Sequence, residues 1–290
     1  MPERFEPVAR ILREAVEAHA FPAACIEVGR RSGPVWNAAF GGLTYDPYAA
    51  LTSPDTIFDL ASLTKVLATS TLAMRAVDDS RIALDDRVGR WLPAWRGTDR
   101  EAVTVRHLLT HSSGLSAYLP FFRDYTGRAE FEEAICSLPL EYEPDSRSVY
   151  SDLGFILLGF ILETASPHNP DFKGAPGAFD PRRTLAEQFH RLARYVTSDP
   201  LAFNPPRQWR RRAAPTEVDE WRGRLLTGEV HDENCWALGG AAGHAGLFGT
   251  AAAVGACARW WMHSPALPHF ATKSTVPGSS RGLAWDTMLP

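Results

Sequence analysis

Ser62 and Lys65 stand three residues apart in the run Phe58-Asp59-Leu60-Ala61-Ser62-Leu63-Thr64-Lys65. A serine hydroxyl is a poor nucleophile at neutral pH and needs a neighbouring activating group. Three helical positions place the two side chains on one face, about 4.5 Å apart along the axis, so the lysine amine comes within reach of the hydroxyl. The serine follows an apolar run, where a strand or loop enters a helix. A helix N-terminus adds positive potential and free N–H groups, which favour an oxyanion. The chemistry implied is acyl transfer through a serine ester. The plainer alternative is a capping serine beside a solvated lysine, and Ser-x-x-Lys alone does not separate the two.

Three further groups carry chemistry-bearing side chains. Tyr150-Ser151-Asp152 precedes a long apolar run. A phenol is a weak base unless a cation sits beside it, and Lys65 would be that cation. The alternative is a surface tyrosine with Ser151 or Asp152 capping a helix. Arg106-His107-Leu108-Leu109-Thr110-His111-Ser112-Ser113-Gly114-Leu115 holds two histidines and two serines. It lacks an acid partner and a nucleophile elbow, so Ser112-Ser113-Gly114 reads as a rigid turn after a helix. His231-Asp232-Glu233-Asn234 with His244 has residue types that suit a metal, yet its spacing matches no ligand pattern. A hydrogen-bonded loop is the better reading there, with His244 lining a cleft. No metal and no cofactor is expected.

The elements that must position these groups follow from periodicity. Phe5, Val8, Leu12, Ala15 and Val16 recur at helical spacing. Ala23–Gly29 and Val35–Phe40 read as strands joined by the turn Arg31-Ser32-Gly33-Pro34. Leu63–Val77 reads as one long helix opened by Ser62. Short helices are predicted over Asp85–Trp91 and Val105–Leu109, a fully buried one over Leu153–Ala165, and others over Leu185–Tyr195 and Ala251–Met262. Pro167–Pro181 is rich in proline, glycine and polar residues and reads as an exposed loop.

Bulk properties narrow the function classes. The 290 residues, 45% of them hydrophobic, suffice for one large or two intertwined globular units. A net charge of −4 argues against a general nucleic-acid role. The basic run Arg207-Gln208-Trp209-Arg210-Arg211-Arg212 reads as a solvated face between prolines. The cysteines, Cys25, Cys136, Cys235 and Cys257, form no metal or redox spacing and read as reduced thiols. Charged residues interrupt the first twenty positions, and the longest apolar stretch, Phe155–Leu162, is far shorter than the ~20 residues of a membrane span. No membrane association and a cytoplasmic location are therefore expected.

Taken together and in order, Ser62-Leu63-Thr64-Lys65, Leu108–Leu115 and Tyr150-Ser151-Asp152 resemble the serine β-lactamase and penicillin-binding-protein superfamily. The likeness is to its class C β-lactamase-like branch of esterases and D-aminopeptidase-type hydrolases. Gly243-His244-Ala245-Gly246-Leu247-Phe248-Gly249-Thr250-Ala251 is similar to a glycine-rich segment of that branch. The resemblance implies an α+β fold, an antiparallel sheet with flanking helices plus an inserted, mostly helical region. Residues 1–70 and 236–290 would form the sheet-plus-helix part and 71–235 the helical part. It implies Ser62 as acylated nucleophile, Lys65 as activating base or electrostatic partner, and Tyr150 as second general acid/base. Asp152, His244 and Gly246 would contact substrate, and the Ser62 N–H would be half of the oxyanion hole. The substrate would be a small ester, amide or peptide.

Two departures bear on activity. Asp152 stands where the branch often has asparagine, so it accepts hydrogen bonds but donates none. The branch's last motif, Lys-Thr-Gly or His-x-Gly on a late strand, has no clear counterpart: His244-Ala245-Gly246 fits the earlier glycine-rich segment better, and Lys273-Ser274-Thr275 lacks the glycine. The expectation is a chain without the last strands of the sheet, whose first two strands lose their neighbours. The alternative to an active hydrolase is thus a catalytically impaired or non-catalytic truncated remnant.

Overall fold

The computed structural model describes residues 3–165 and 183–286. The expected loop Pro167–Pro181 lies outside the described residues. Helix α1 (Glu6–Glu17) follows the predicted stripe, with Ala9 buried and Leu12, Ala15 and Val16 half-buried. It packs on a hairpin of β1 (Ala23–Arg30) and β2 (Gly33–Gly41), whose register sets Ala23 opposite Gly41 and Arg30 opposite Gly33. Phe5 stacks on Trp36 at 4.8 Å between ring centroids. Among the described residues this hairpin has no third strand. Helix α8 (Ala251–His263) also packs on β1. There Gly255 leaves room for Glu27, whose buried carboxylate pairs with Arg259 of the same helix.

The helix after Ser62 departs from the single regular coil expected. Its first part, Lys65–Thr69, is wound with i→i+5 hydrogen bonds, and ordinary α-helix α2 begins only at Ser70 and runs to Asp78. The cause is local. The Ser70 hydroxyl donates to the Lys65 carbonyl at 2.6 Å, alongside the Ser70 N–H, and Thr71 Oγ1 reaches the Val66 carbonyl at 3.4 Å. Hydroxyls that occupy carbonyls five residues back favour this wider turn, a form that recurs at functional sites.

Helix α3 (Val105–Leu109) forms as predicted, closed at its start by a reciprocal cap between Thr104 and His107. Over Asp85–Trp91 only a 3-10 turn, Val88–Arg90, appears, because Arg87 pairs with Thr104 as extended chain. Helices α4 (Gly127–Ser137), α5 (Asp152–Thr164) and α6 (Leu185–Val196) complete the helical layer. Every residue of α5 from Leu153 to Leu162 is buried, as its uniformly apolar sequence requires. The principal core gathers around it and takes in Leu72, Leu108, Phe131 and Phe189.

Short strands escape a sequence reading. Strand β3 (Phe58–Asp59), β4 (Leu201–Phe203) and β7 (Leu247–Gly249) form one antiparallel sheet in the order β3-β7-β4, while β5 (Pro215–Asp219) and β6 (Arg224–Thr227) make a hairpin. Helix α7 (Glu233–Ala237) and the brief α9 (Leu267–Phe270) lie between the later elements. Beneath β7, a second core of Ile57, Ala213, Val230, Cys235, Ala242, Ala245 and Phe248 joins chain from both ends. All four cysteines are free. Among the described residues no helix is long and apolar enough to cross a membrane.

Gly243 is the tightest contact between these layers. A Cβ there would fall 1.9 Å from the Phe155 carbonyl oxygen and 3.1 Å from the Gly159 nitrogen of α5. Gly243→Ala should therefore cost at least about 2 kcal/mol and lower the melting temperature by roughly 4–8 °C. An unchanged thermal melt would show that the loop is not pressed against α5.

Candidate active site

The turn that carries Ser62 is set from β3. Asp59 Oδ1 accepts the Ala61 N–H at 2.8 Å, and Ala61 adopts φ of 45°. A left-handed alanine is disfavoured by about 1 kcal/mol and persists only where its surroundings hold it. Here Asp59 and the bonds Leu63 N–H to Leu60 O and Thr64 N–H to Ala61 O do so. The result is a sharp turn with Ser62 exposed at its tip. Thr64, buried beneath, accepts the Leu247 N–H at 3.1 Å, and Leu60 N–H donates to the Leu247 carbonyl at 2.8 Å. The turn is thereby fixed to β7. The Ser62 side chain does not cap the helix, and among the described residues no acceptor takes its N–H.

Lys65 is buried, with 1% of its surface exposed. Its Nζ donates to Ser62 Oγ at 2.9 Å and to the His244 carbonyl at 3.1 Å. It also meets Asp152 Oδ1 at 2.7 Å, as an ion pair lying outside regular hydrogen-bond angles. The three partners come from three places: the turn before the helix, the first residue of α5 and the loop before β7.

Tyr150 sits in the extended chain leading into α5. That chain is held by His111, whose carbonyl accepts the Val149 N–H at 2.9 Å and whose Nδ1 accepts the Ser151 N–H at 3.0 Å. The His111 ring lies 4.6 Å from the Tyr150 ring. Burial holds the His111 imidazole well below its usual range, with the Arg281 and Lys65 cations adding to the effect. The accepted bond at Nδ1 fits a neutral ring. Lys65 Nζ is 4.7 Å from the centroid of the Tyr150 ring and the Arg281 guanidinium carbon 5.1 Å. Tyr150 is 40% exposed, and among the described residues its hydroxyl makes no hydrogen bond. The segment His111–Gly114 is the rigid turn that its sequence suggests. Ser112 Oγ pairs with Thr110 Oγ1 at 2.8 Å, and Gly114 takes φ of 89°.

His244 joins the cluster through its backbone. Its carbonyl holds Lys65, while its buried ring points to Asp232, with Nε2 2.8 Å from Oδ1. Burial alone would raise the Asp232 carboxyl. The His244 ring and the Cys235 N–H outweigh it and bring the group down to about 2. Gly246 stands apart from the others. It is buried at φ of 105°, where a Cβ would fall 2.5 Å from the Gly240 carbonyl oxygen and 2.8 Å from Cys235 Sγ. His231 turns outward to Glu217 at 2.7 Å, so the His231, Asp232 and His244 side chains do not converge. Among the described residues no group of three or more His, Cys, Asp or Glu side chains is arranged to hold a metal ion.

The structure thus brings together Ser62, Lys65, Tyr150, Asp152 and the His244 carbonyl, and leaves Gly246 in the packing behind them. Asp59, His111, Asp232 and Arg281 support the cluster without having been expected there. Asp59 was the readable one, a carboxylate three residues before the serine. The other three act through distant contacts that no local pattern announces.

Comparison with known proteins bears on the family and the fold. The family model described as Beta-lactamase matches residues 8–266. An N-acetylmuramyl-L-alanine amidase of Bacillus subtilis (strain 168) is 28% identical over 254 residues, covering 81% of this chain and 57% of the relative. A provisionally named D-alanyl-D-alanine carboxypeptidase of Escherichia coli (strain K12) is 26% identical over 266 residues, covering 85% of this chain and 61% of the relative. The chain therefore spans about three fifths of the length of these curated relatives. Among solved structures, a β-lactamase/D-alanine carboxypeptidase from Pseudomonas syringae superposes with a TM-score of 0.77 at 18% identity, over 98% of this chain and 75% of that one. With the family match spanning most of its length and the same fold in solved relatives, the chain belongs to the β-lactamase family, within the serine β-lactamase and penicillin-binding-protein superfamily.

Proposed function

We propose that the chain is a serine hydrolase that forms an acyl-enzyme on Ser62 from a small ester, amide or peptide, in the manner of an esterase, D-aminopeptidase or carboxypeptidase. The observation that carries this reading is the Ser62 Oγ–Lys65 Nζ contact of 2.9 Å, made by a lysine that is otherwise buried. The amidase and carboxypeptidase names of the two curated relatives favour an amide or peptide bond as substrate.

The charge state of Lys65 assigns the roles. A buried amine that donates to two oxygens and lies 2.7 Å from a carboxylate is held as an ammonium by that counter-charge. The Ser62 oxygen accepts one of the ammonium hydrogens, so its own proton points elsewhere and does not pass to Lys65. Acting as the phenolate beside the Lys65 and Arg281 cations, Tyr150 takes that proton as general base and becomes the neutral phenol, while Ser62 Oγ bonds to the substrate carbonyl carbon. Collapse of the tetrahedral adduct breaks the bond to the leaving group, which receives the proton from Tyr150. Water, deprotonated by the same tyrosine, later cleaves the ester and restores the Ser62 hydroxyl. Lys65 acts as a fixed cation bonded to the Ser62 oxygen and set against the Tyr150 ring, and the free Ser62 N–H faces the developing oxyanion. Asp152 belongs to this machinery as counter-charge to Lys65. His244 contributes its carbonyl, and Gly246 shapes the loop behind it. The rival reading, an impaired relative, draws on the β1–β2 hairpin, which lacks a third strand among the described residues.

Two measurements test these roles. A fluorophosphonate probe should add covalently to the protein, and Ser62→Ala should abolish the adduct seen by intact mass. Labelling that survives in the variant would remove Ser62 as nucleophile. The ion pair is tested by a double-mutant cycle on stability. Asp152→Ala should cost about 2 kcal/mol, less than a fully buried pair because the carboxylate is 19% exposed. In a Lys65→Met background the same change should cost less than half as much. Equal costs in both backgrounds would mean that Lys65 is not held as an ammonium.

A further inference from the structure

The His231-Asp232 dipeptide touches both halves of the candidate site from behind. Its first residue donates the His231 N–H to Asp59 Oδ2 at 2.8 Å, and the other oxygen of Asp59 holds the Ala61 N–H in the turn before Ser62. Its second residue, Asp232, accepts from His244 Nε2 at 2.8 Å, and the His244 carbonyl holds Lys65. Asp232 is itself anchored, since Oδ1 also accepts the Cys235 N–H at 2.7 Å as the cap of α7. The His244 ring is 2% exposed and, among the described residues, its Nδ1 has no partner, so the bond to Asp232 is the one directional restraint that those residues place on the side chain. The backbone on either side is constrained as well. Gly243 is pressed on α5, and its carbonyl accepts from Thr69 Oγ1 at 2.7 Å.

We propose that Asp232 and His244 form a buried positioning dyad, which aims the His244 carbonyl at the Lys65 ammonium and so keeps that ammonium on Ser62 Oγ. Neither side chain touches substrate or reacting atoms; both act through Lys65. The dyad deepens the serine-hydrolase reading and rests on it only for its effect on rate. The charged and titratable groups that face Lys65 are Asp152 and Tyr150 from the start of α5, His111 behind Tyr150, Arg281 across the Tyr150 ring, and Asp232 with Cys235 below. Of these, Asp152 supplies direct counter-charge. The dyad supplies direction, because a carbonyl oxygen is a useful third acceptor only while its peptide is held in place.

The test uses two readouts, only one of which needs catalysis. The chain has three lysines, Lys65, Lys173 and Lys273, so 15N-lysine labelling gives an assignable ammonium spectrum. Lys65 should show a slowly exchanging ammonium signal in the unaltered protein. His244→Leu and Asp232→Asn should broaden or abolish it and slow fluorophosphonate labelling by about ten-fold, the loss expected for one misplaced hydrogen bond. His244→Gln, whose amide can still donate to Asp232, should keep the signal and at least a third of the rate. A His244→Gln protein as impaired as His244→Leu would overturn the dyad, leaving the ring as filler. So would a His244→Leu protein with signal and rate unchanged. The unaltered protein carries its own check, since 15N-histidine spectra must show a proton on His244 Nε2 shared with a carboxylate, and its absence overturns the proposal without any substitution. If the unaltered protein fails to react with the probe, the hydrolase reading fails, while the ammonium and histidine spectra still decide the dyad.

Discussion

A lysine buried to 1% exposure cannot keep its charge without acceptors, and the placement of those acceptors organises this protein. Lys65 finds one on the turn before its own helix, one at the head of α5 and one on the loop before β7. Each must arrive within hydrogen-bond reach of a single nitrogen. The fold can be understood as the set of contacts that deliver them. The wide i→i+5 turn over Lys65–Thr69 is stabilised by the Ser70 and Thr71 hydroxyls directly beneath the lysine. Helix α5 is apolar on all sides and buried, which makes the position of its first residue, Asp152, rigid. The third acceptor depends on glycine at 243, since only a residue without Cβ lets that loop lie against α5.

The same constraint explains why Ser62 can be exposed and still be fixed. Its turn hangs from Asp59 and from β7 through Leu60 and Thr64, so the backbone that carries Ser62 is tied to that sheet. Tyr150 is likewise held from behind. His111 occupies the chain before α5 with both its carbonyl and its ring, and its neutral imidazole packs against the phenol. The exposed side of the cluster consists of Ser62 and Tyr150, with Arg281 against the Tyr150 ring. The protein side consists of buried groups joined by hydrogen bonds and by the Lys65–Asp152 ion pair.

What was legible in the sequence was local. Ser62, Lys65, Tyr150 and Asp152 belong to short patterns, and α1, α3, α5, α6 and α8 announce themselves by apolar spacing and caps. The long helix after Ser62 was legible as a helix but not as a widened one, because the hydroxyl bonds that widen it depend on rotamers. Strands β3, β4 and β7 have only two or three residues each, too few for an alternating pattern, and they exist because each borrows hydrogen bonds from a distant neighbour. His244 was picked out as a cleft residue by its ring, whereas its carbonyl is what reaches Lys65. A backbone atom is invisible to residue-type reasoning. The role of Asp232 was likewise hidden, since it acts on a partner set by tertiary contacts rather than by spacing.

The central claim is that Lys65 is an ammonium, paired with Asp152 and donating to Ser62 and the His244 carbonyl, so that it orients Ser62 rather than deprotonating it. Neutron diffraction from a deuterated crystal would locate the hydrogens on Nζ. Three deuterons on Nζ, two of them directed at Ser62 Oγ and the His244 carbonyl, are the predicted result. Two deuterons, with the nitrogen lone pair aimed at a Ser62 hydroxyl deuteron, would make Lys65 the base and contradict the account.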